Sequence, residues 1–293
     1  MEVAMNLHHI LAAADESEAG RQAVRSSIDL AARAHASVTV MHAVSVRALS
    51  VPVGATEAYD LASANLESPA IQVLHQWIEY DLRLLREPPP VELGVAVGVP
   101  DIEIRRLAEQ QEADLLVLGR KQRSQMARLL LSDTADSVAR QSRIPCLFVP
   151  PNSDPLHRVL VALDGSERGM VVLREACGFA RSAGTSLRVV TVESDPVDEP
   201  AELESALPVA RTARLQGQVQ ALLTREAVPG AVPGLEVRSG VIVEQILAAV
   251  DATDADVLVI GYHRGGLPGI IEAGSTGRRL SHSAPCAVLT IPL

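Results

Sequence analysis

An internal repeat limits the possible folds of this chain more than any other feature of its sequence. Residues 113–119 (ADLLVLG) match residues 255–261 (ADVLVIG), which follow 142 positions later. Residues 10–15 (ILAAAD) match residues 159–164 (VLVALD) at a separation of 149 positions. Ordered self-similarity of this kind is the signature of a duplicated structural unit. The sequence therefore predicts two copies of one domain in tandem.

The boundary between the copies is predicted at a proline-rich, polar segment, residues 150–155 (PPNSDP). We place the first domain over residues 1–150 and the second over residues 155–293. A chain of 293 residues is long enough for two domains that each bury a core.

Within each copy, aliphatic runs alternate with stretches that have helical periodicity. Such alternation implies right-handed crossovers and a parallel sheet covered on both faces. Aromatic residues make up only 2% of the chain, which suits the aliphatic strands of a buried parallel sheet. The predicted fold class is α/β, with two tandem, doubly wound, five-stranded parallel sheets of Rossmann-like type. The predicted strands are residues 8–14, 38–44, 91–97, 114–118 and 146–149 in the first copy, and 158–163, 187–192, 235–239, 257–260 and 287–291 in the second. Long helices are predicted near 67–86, 127–141 and 202–226.

Charge and composition exclude several classes of partner. The formal net charge is −10, so nucleic acid and anionic membrane surfaces are not expected partners. The chain starts without a basic, apolar leader, and no apolar run reaches the roughly 18 residues that span a bilayer. Its three cysteines lack a C-x-x-C pair, which predicts buried free thiols. We expect a cytoplasmic protein.

A glycine-rich loop after the fourth strand of the second copy is the strongest candidate site. It begins at Gly261 and ends at Gly274, where Ser275 and Thr276 open the last helix. Free backbone amides and the dipole at a helix start favour an anion, and both hydroxyls can donate to phosphate oxygens. The alternative is an ordinary helix start with Ser275 as its capping residue.

Several short motifs resemble those of the universal stress protein family. They are an Asp-x-Ser turn after the first strand of each copy (Asp15–Ser17 and Asp164–Ser166), the Ala-Asp-aliphatic-Gly fourth strand, the Gly-Ser helix start and Pro285-Cys286. The resemblance runs through both copies. It implies an adenine nucleotide α-hydrolase-like fold and a role in the response to stress.

ATP-binding members of that family carry the pattern G-x2-G-x9-G-[ST]. In the second copy Gly261, Gly274 and Ser275 fit this pattern, but Arg264 occupies the position of the second glycine. An arginine there can itself contact a phosphate, and His263 is either a further phosphate contact or a solvent-exposed loop residue. The resemblance implies that Asp164 and the backbone of Val192 face the adenine and ribose, and that Ala162 lines the base pocket. The expected ligand is ATP, with or without Mg²⁺, or a related adenine nucleotide.

The first copy departs further from that pattern. Gly119 is kept, but Gln122 replaces the second glycine and Ser132-Asp133 replaces the Gly-Ser pair. A carboxylate at the helix start competes with phosphate for the same amides and repels it. We predict that the first copy has lost triphosphate binding.

Other chemistries have weaker support in the sequence. No H-x3-H, H-E-x-x-H or G-x-S-x-G pattern occurs, which argues against a metal site and a serine hydrolase. Slow ATP hydrolysis would need a general base that the sequence does not reveal, so no enzyme is predicted. The alternative function is a protein-interaction scaffold without nucleotide binding, which Arg264 favours.

The last strand of each copy is a predicted edge strand through which the two halves pair as a pseudo-dimer, and the chain could also form a homodimer.

Overall fold

The chain forms two compact units, seen in a computed structural model that describes residues 4–45, 69–120, 134–193, 206–262 and 275–293. One unit is Leu7–Pro155 and contains the first repeat. The other contains Leu156–Ile291, and the described residues before Leu7 belong to it as well.

The unit of the first repeat is a parallel sheet with helices between its strands. Its strand order is β3-β2-β1-β4-β5, and every paired strand runs parallel to its neighbour. Helix α1 packs against α2, and α3 packs against α4. The elements in chain order are β1 (His9–Ala13), α1 (Glu18–Ala34), β2 (Ser37–Ser45), α2 (Pro69–Leu84), β3 (Val91–Gly98), α3 (Pro100–Gln110), β4 (Leu115–Gly119), α4 (Thr134–Gln141) and β5 (Cys146–Val149).

The unit of the second repeat has the same architecture. Its strand order is β10-β9-β6-β7-β8, which is the order of the first unit read from the other edge. Helix α5 packs against α6, and α7 packs against α8. The elements are β6 (Arg158–Leu163), α5 (Glu167–Ala183), β7 (Ser186–Glu193), α6 (Ala206–Glu226), β8 (Glu236–Ser239), α7 (Ile242–Thr253), β9 (Val257–Tyr262), α8 (Ser275–Ser283) and β10 (Ala287–Pro292).

The predicted fold class is confirmed, and the aliphatic strand runs form the cores. In β4 the four residues Leu115–Leu118 are buried, and in β5 all four are. The predicted helix at 67–86 is Pro69–Leu84, ending before three consecutive prolines. The predicted starts of the helices near 127 and 202 lie outside the described residues. No helix in the described part of the chain combines the length and the apolar character needed to cross a membrane.

An aspartate at the start of the fourth strand joins it to the first strand in each repeat. The Asp114 carboxylate accepts hydrogen bonds from the backbone N–H groups of His8 (2.7 Å) and His9 (2.9 Å). The Asp256 carboxylate accepts the equivalent bonds from His157 (3.1 Å) and Arg158 (2.9 Å). The aspartate of the repeated Ala-Asp motif therefore closes the amino end of the sheet, opposite to the expected ligand site.

Met5 packs into the unit of the second repeat. Its N–H donates to the Glu175 carboxylate at 2.9 Å, and its side chain is buried. A Cβ atom on Gly178 of α5 would lie 2.2 Å from the Met5 carbonyl oxygen, so the close approach of the two backbones requires a glycine.

The cysteines follow the predicted pattern in two cases. Cys146 and Cys177 are buried thiols, whereas the Cys286 thiol is only half-buried. Burial raises the pKa of the Cys146 thiol to about 12. Burial also raises the pKa of the Cys177 thiol to about 12, with a further increase from the charge of Glu226. Both thiols are therefore protonated at neutral pH.

Candidate functional site

The candidate site lies at the carboxyl ends of the central strands of the second repeat. Strand order reverses between β6 and β9, and ligands of open α/β sheets bind in the crevice at such a reversal. Asp164 directly follows β6, Val192 is the penultimate residue of β7, and Gly261 is the penultimate residue of β9. The fold thus brings three of the predicted residues to one edge of the sheet, on three adjacent strands.

Asp164 shapes the turn between β6 and α5. One of its carboxylate oxygens accepts from the Ser166 N–H at 2.9 Å and from the Ser166 hydroxyl at 2.7 Å. The Ser166 oxygen in turn accepts from the Gly169 N–H at 3.2 Å and caps α5. Gly165, which lies between Asp164 and Ser166, has a φ of 73°, a backbone conformation that favours glycine. The Asp-x-Ser motif therefore has a structural role in ending a strand and capping a helix.

The same turn exists in the first repeat. The Ser17 N–H and hydroxyl both donate to Asp15, and the Ser17 oxygen accepts from the Gly20 N–H. Because both repeats keep these hydrogen bonds, the Asp-x-Ser motif does not distinguish a binding repeat from a non-binding one.

A side chain of the second strand holds the end of the first strand in both repeats. The Thr191 hydroxyl donates to the Leu163 carbonyl at 2.9 Å. At the equivalent position His42 donates through Nδ1 to the Ala14 carbonyl at 3.0 Å. These bonds tie the end of the second strand to the end of the first strand in both repeats.

Ala162 and Val192 face the side of the sheet that carries α7 and α8. Both are half-buried, and both pack against the core beneath these helices. The structure therefore shows Ala162 as a half-buried residue packed on this face of the sheet, and its contact with a base stays a prediction.

The fourth-strand glycines differ between the repeats. A Cβ atom on Gly119 would lie 2.3 Å from the Ala19 carbonyl oxygen, because the backbone of α1 rests directly on the end of β4. A Cβ atom on Gly261 would instead meet side chains first, those of Leu293 at 2.7 Å and Val172 at 3.0 Å. The atoms nearest to the added Cβ are thus α1 backbone atoms in the first repeat and side-chain atoms in the second.

The last helix of the second repeat begins where the sequence predicts. Helix α8 starts at Ser275, Thr276 is half-buried in its first turn, and a Cβ atom on Gly277 would lie 3.4 Å from the Gly261 carbonyl oxygen. The start of α8 is therefore beside the end of β9. His263, Arg264, Gly274 and the Ser275 side chain lie outside the described residues, as do Gln122, Ser132 and Asp133 of the first repeat.

Two further residues at this edge of the sheet were missed in the sequence. Glu193 is the last residue of β7, and the Thr212 hydroxyl of α6 donates to its carboxylate. An acidic residue at the end of a second strand is a recognised signal for a ribose contact and could have been read from the sequence. The contact with Thr212 could not have been read from the sequence, because it depends on how α6 packs.

Within the described ranges no group of three or more His, Cys, Asp or Glu side chains could hold a metal ion.

Comparison with known proteins gives a consistent picture across the whole chain. A family model described as "Universal stress protein family" matches residues 6–150 and 155–292. A universal stress protein of Mycolicibacterium smegmatis is 25% identical over 294 aligned residues, which cover 96% of each chain. A universal stress protein of Mycobacterium tuberculosis is 26% identical over 207 residues, or 68% of this chain and 69% of the relative.

A solved structure supports the fold independently. The crystal structure of a universal stress protein from Archaeoglobus fulgidus aligns with a TM-score of 0.69 and 19% identity, and it covers 97% of this chain and 98% of its own. At this level of identity the likeness concerns the fold alone.

Proposed function

Since the chain belongs to the universal stress protein family, we propose that its second repeat binds ATP or a related adenine nucleotide, with or without Mg²⁺, and that the protein regulates a cytoplasmic response to stress. The observation that carries this proposal is the position of Asp164, Val192 and Gly261 at the carboxyl ends of three adjacent strands, on both sides of the strand-order reversal.

The start of α8 supports a phosphate contact at the same edge. Its first turn lies beside the Gly261 carbonyl, so the amide groups at the start of the helix are next to the end of β9. These amides and the helix dipole favour a negatively charged group. The glycine-rich loop that would complete the contact is supported by its sequence pattern.

The first repeat is proposed to serve a structural or regulatory role. The backbone of α1 occupies the space next to Gly119, and the sequence places Asp133 where the binding pattern has a serine. Both features act against the binding of a nucleotide phosphate in the first repeat.

The docking of the two halves through their last strands, and the formation of a homodimer, stay predictions from the sequence.

Binding without catalysis is the form of this function that we propose. The alternative is a protein-interaction scaffold that binds no nucleotide in either half. Arg264, at the position of a family glycine, is the observation that favours it.

Thermal unfolding of the full chain with and without millimolar Mg-ATP distinguishes nucleotide binding from the scaffold alternative. A ligand at 100 times its Kd stabilises the folded state by about 2.7 kcal/mol. Each 1 kcal/mol raises the midpoint by about 2–4 °C for chains of this size, so the expected rise is about 5–11 °C. Gly274→Asp should abolish the rise, because it places a carboxylate at the helix start. Gly217→Asp, at an exposed position on α6, is the matched control and should keep it. An unchanged midpoint in the wild-type protein would contradict nucleotide binding and favour the protein-interaction scaffold.

A further inference from the structure

We propose that Glu193 accepts hydrogen bonds from the ribose hydroxyls of the nucleotide and makes the second repeat selective for ribonucleotides over 2′-deoxyribonucleotides. This inference rests on the proposed function, because it names the part of the ligand that one further side chain recognises. Its support comes from the position, the anchoring and the facing direction of Glu193.

Glu193 ends the strand next to β6. Leu163 of β6 pairs with Thr191 of β7, so Asp164 and Val192 come next on adjacent strands and Glu193 lies one residue further out. Neighbouring strands are about 4.8 Å apart, so the carboxylate stands at the rim of the crevice between the strand ends. In dinucleotide-binding sheets with this strand order, an acidic residue that follows the second strand bonds the ribose hydroxyls.

Glu193 faces away from the base side of the sheet. Val192 packs towards the core under α7 and α8, and successive residues of a strand point to opposite faces. Glu193 therefore faces α6, where Thr212 meets it. A carboxylate on that side can bond the sugar of a nucleotide without blocking the floor at Ala162.

The carboxylate is held in place but keeps bonding capacity. The Thr212 hydroxyl donates to one of its oxygens, and the Gly240 N–H donates to its backbone carbonyl at 3.1 Å. The Glu193 side chain is half-buried. An ionised carboxylate has about four lone-pair sites and only accepts hydrogen bonds, so the bond from Thr212 leaves sites for hydroxyl donors.

The first repeat lacks this feature. Val44 occupies the position that matches Glu193, whereas the Asp-x-Ser turn is present in both repeats. The carboxylate therefore occurs in the repeat that carries the nucleotide motif and is missing from the one that does not.

The test is calorimetric titration of the full chain with ATP and with 2′-deoxy-ATP. Hydrogen bonds to charged groups are the strong ones, so the wild-type protein should bind ATP at least about tenfold more tightly than 2′-deoxy-ATP. Glu193→Val, which copies the first repeat, should bring the ratio of the two Kd values close to one by weakening ATP. Thr212→Val should lower the ratio in part, because it releases the carboxylate from its anchor.

Controls separate recognition from folding. Asp251→Asn removes an exposed carboxylate from the far end of α7 and should keep the wild-type ratio. If Glu193→Val fails to fold, Glu193→Gln tests the same point with a side chain of equal size. A wild-type ratio near one with tight ATP binding would overturn the inference and leave the proposed function intact, as would an unchanged ratio in the folded Glu193 variants. Failure to bind either nucleotide would overturn both.

Discussion

The carbonyl oxygen of Ala19 lies 2.3 Å from the point where a Cβ atom on Gly119 would stand. In the first repeat this glycine is therefore needed for helix packing, because the first turn of α1 rests on the end of β4. The matching glycine in the second repeat, Gly261, borders the side chains of Leu293 and Val172 instead. One sequence motif thus has two structural contexts: the α1 backbone lies against Gly119, whereas side chains are the nearest neighbours of a Cβ atom on Gly261.

This difference predicts unequal effects of alanine at the two positions. Gly119→Ala should lower the free energy of unfolding by about 1–3 kcal/mol, the usual cost of overpacking, because the Ala19 backbone can move only if α1 shifts. Gly261→Ala should lower it less, because the atoms nearest to its Cβ belong to the side chains of Leu293 and Val172, which can shift without moving a helix. Urea unfolding of both variants measures the two values. Equal losses would contradict the different packing of the two glycines.

Gly217 provides a glycine for which the opposite result is expected. It lies in α6, it is exposed, and a Cβ atom there would have no neighbour within 4 Å. Gly217→Ala should raise the free energy of unfolding by about 0.5–1 kcal/mol, because alanine loses less backbone entropy in a helix. The same urea series tests this, and a loss of stability would show that α6 is not helical at this position.

Acid should weaken the tie between β6 and β9. Burial raises the pKa of Asp256, but hydrogen bonds from the Arg158 side chain and from the His157 and Arg158 backbone outweigh it and hold the pKa below its ordinary value. The unfolded-state pKa is about 3.9, so this stabilisation is complete above that pH and is lost as the pH falls through the lower folded-state value. Urea unfolding at pH 7 and below pH 4 should show a smaller acid loss in Asp256→Asn than in the wild type. Identical losses in the two proteins would contradict this assignment.

Thiol reactivity should divide the three cysteines. Cys146 and Cys177 are buried and their pKa values are raised to about 12, so both stay protonated and inaccessible in the folded protein. Half-buried Cys286 should be the first to react with a thiol reagent at pH 7.5. In denaturant all three should react rapidly. Fast reaction of Cys146 or Cys177 without denaturant would show that the core of its unit opens readily.

The sequence was sufficient for the fold because the fold depends on local and repeated patterns. Aliphatic runs such as Val257–Ile260 and helical spacing follow directly from the chain, and the duplication confirmed one copy against the other. The start of α8 at Ser275 followed from the same reasoning, since a serine after glycine is a strong helix-start signal.

Contacts between distant segments could not be predicted from the sequence. Asp256 appeared as part of a motif, yet its bonds to His157 and Arg158 arise only when β6 and β9 lie side by side. The hydrogen bond from Thr212 to Glu193 and the contact of the α1 backbone with Gly119 depend on helix packing in the same way. Such contacts have no periodicity and no fixed spacing, so they are visible only in the folded chain.

The number of ATP molecules bound per chain tests the central claim most directly. Equilibrium dialysis of the full protein against radiolabelled ATP, up to saturation, measures it. One ATP per chain is the predicted result, because the second repeat carries the glycine-rich loop and the Gly-Ser helix start, whereas the first repeat has Asp133 at the position of that serine. Zero would contradict nucleotide binding, and two would contradict the assignment of binding to the second repeat alone.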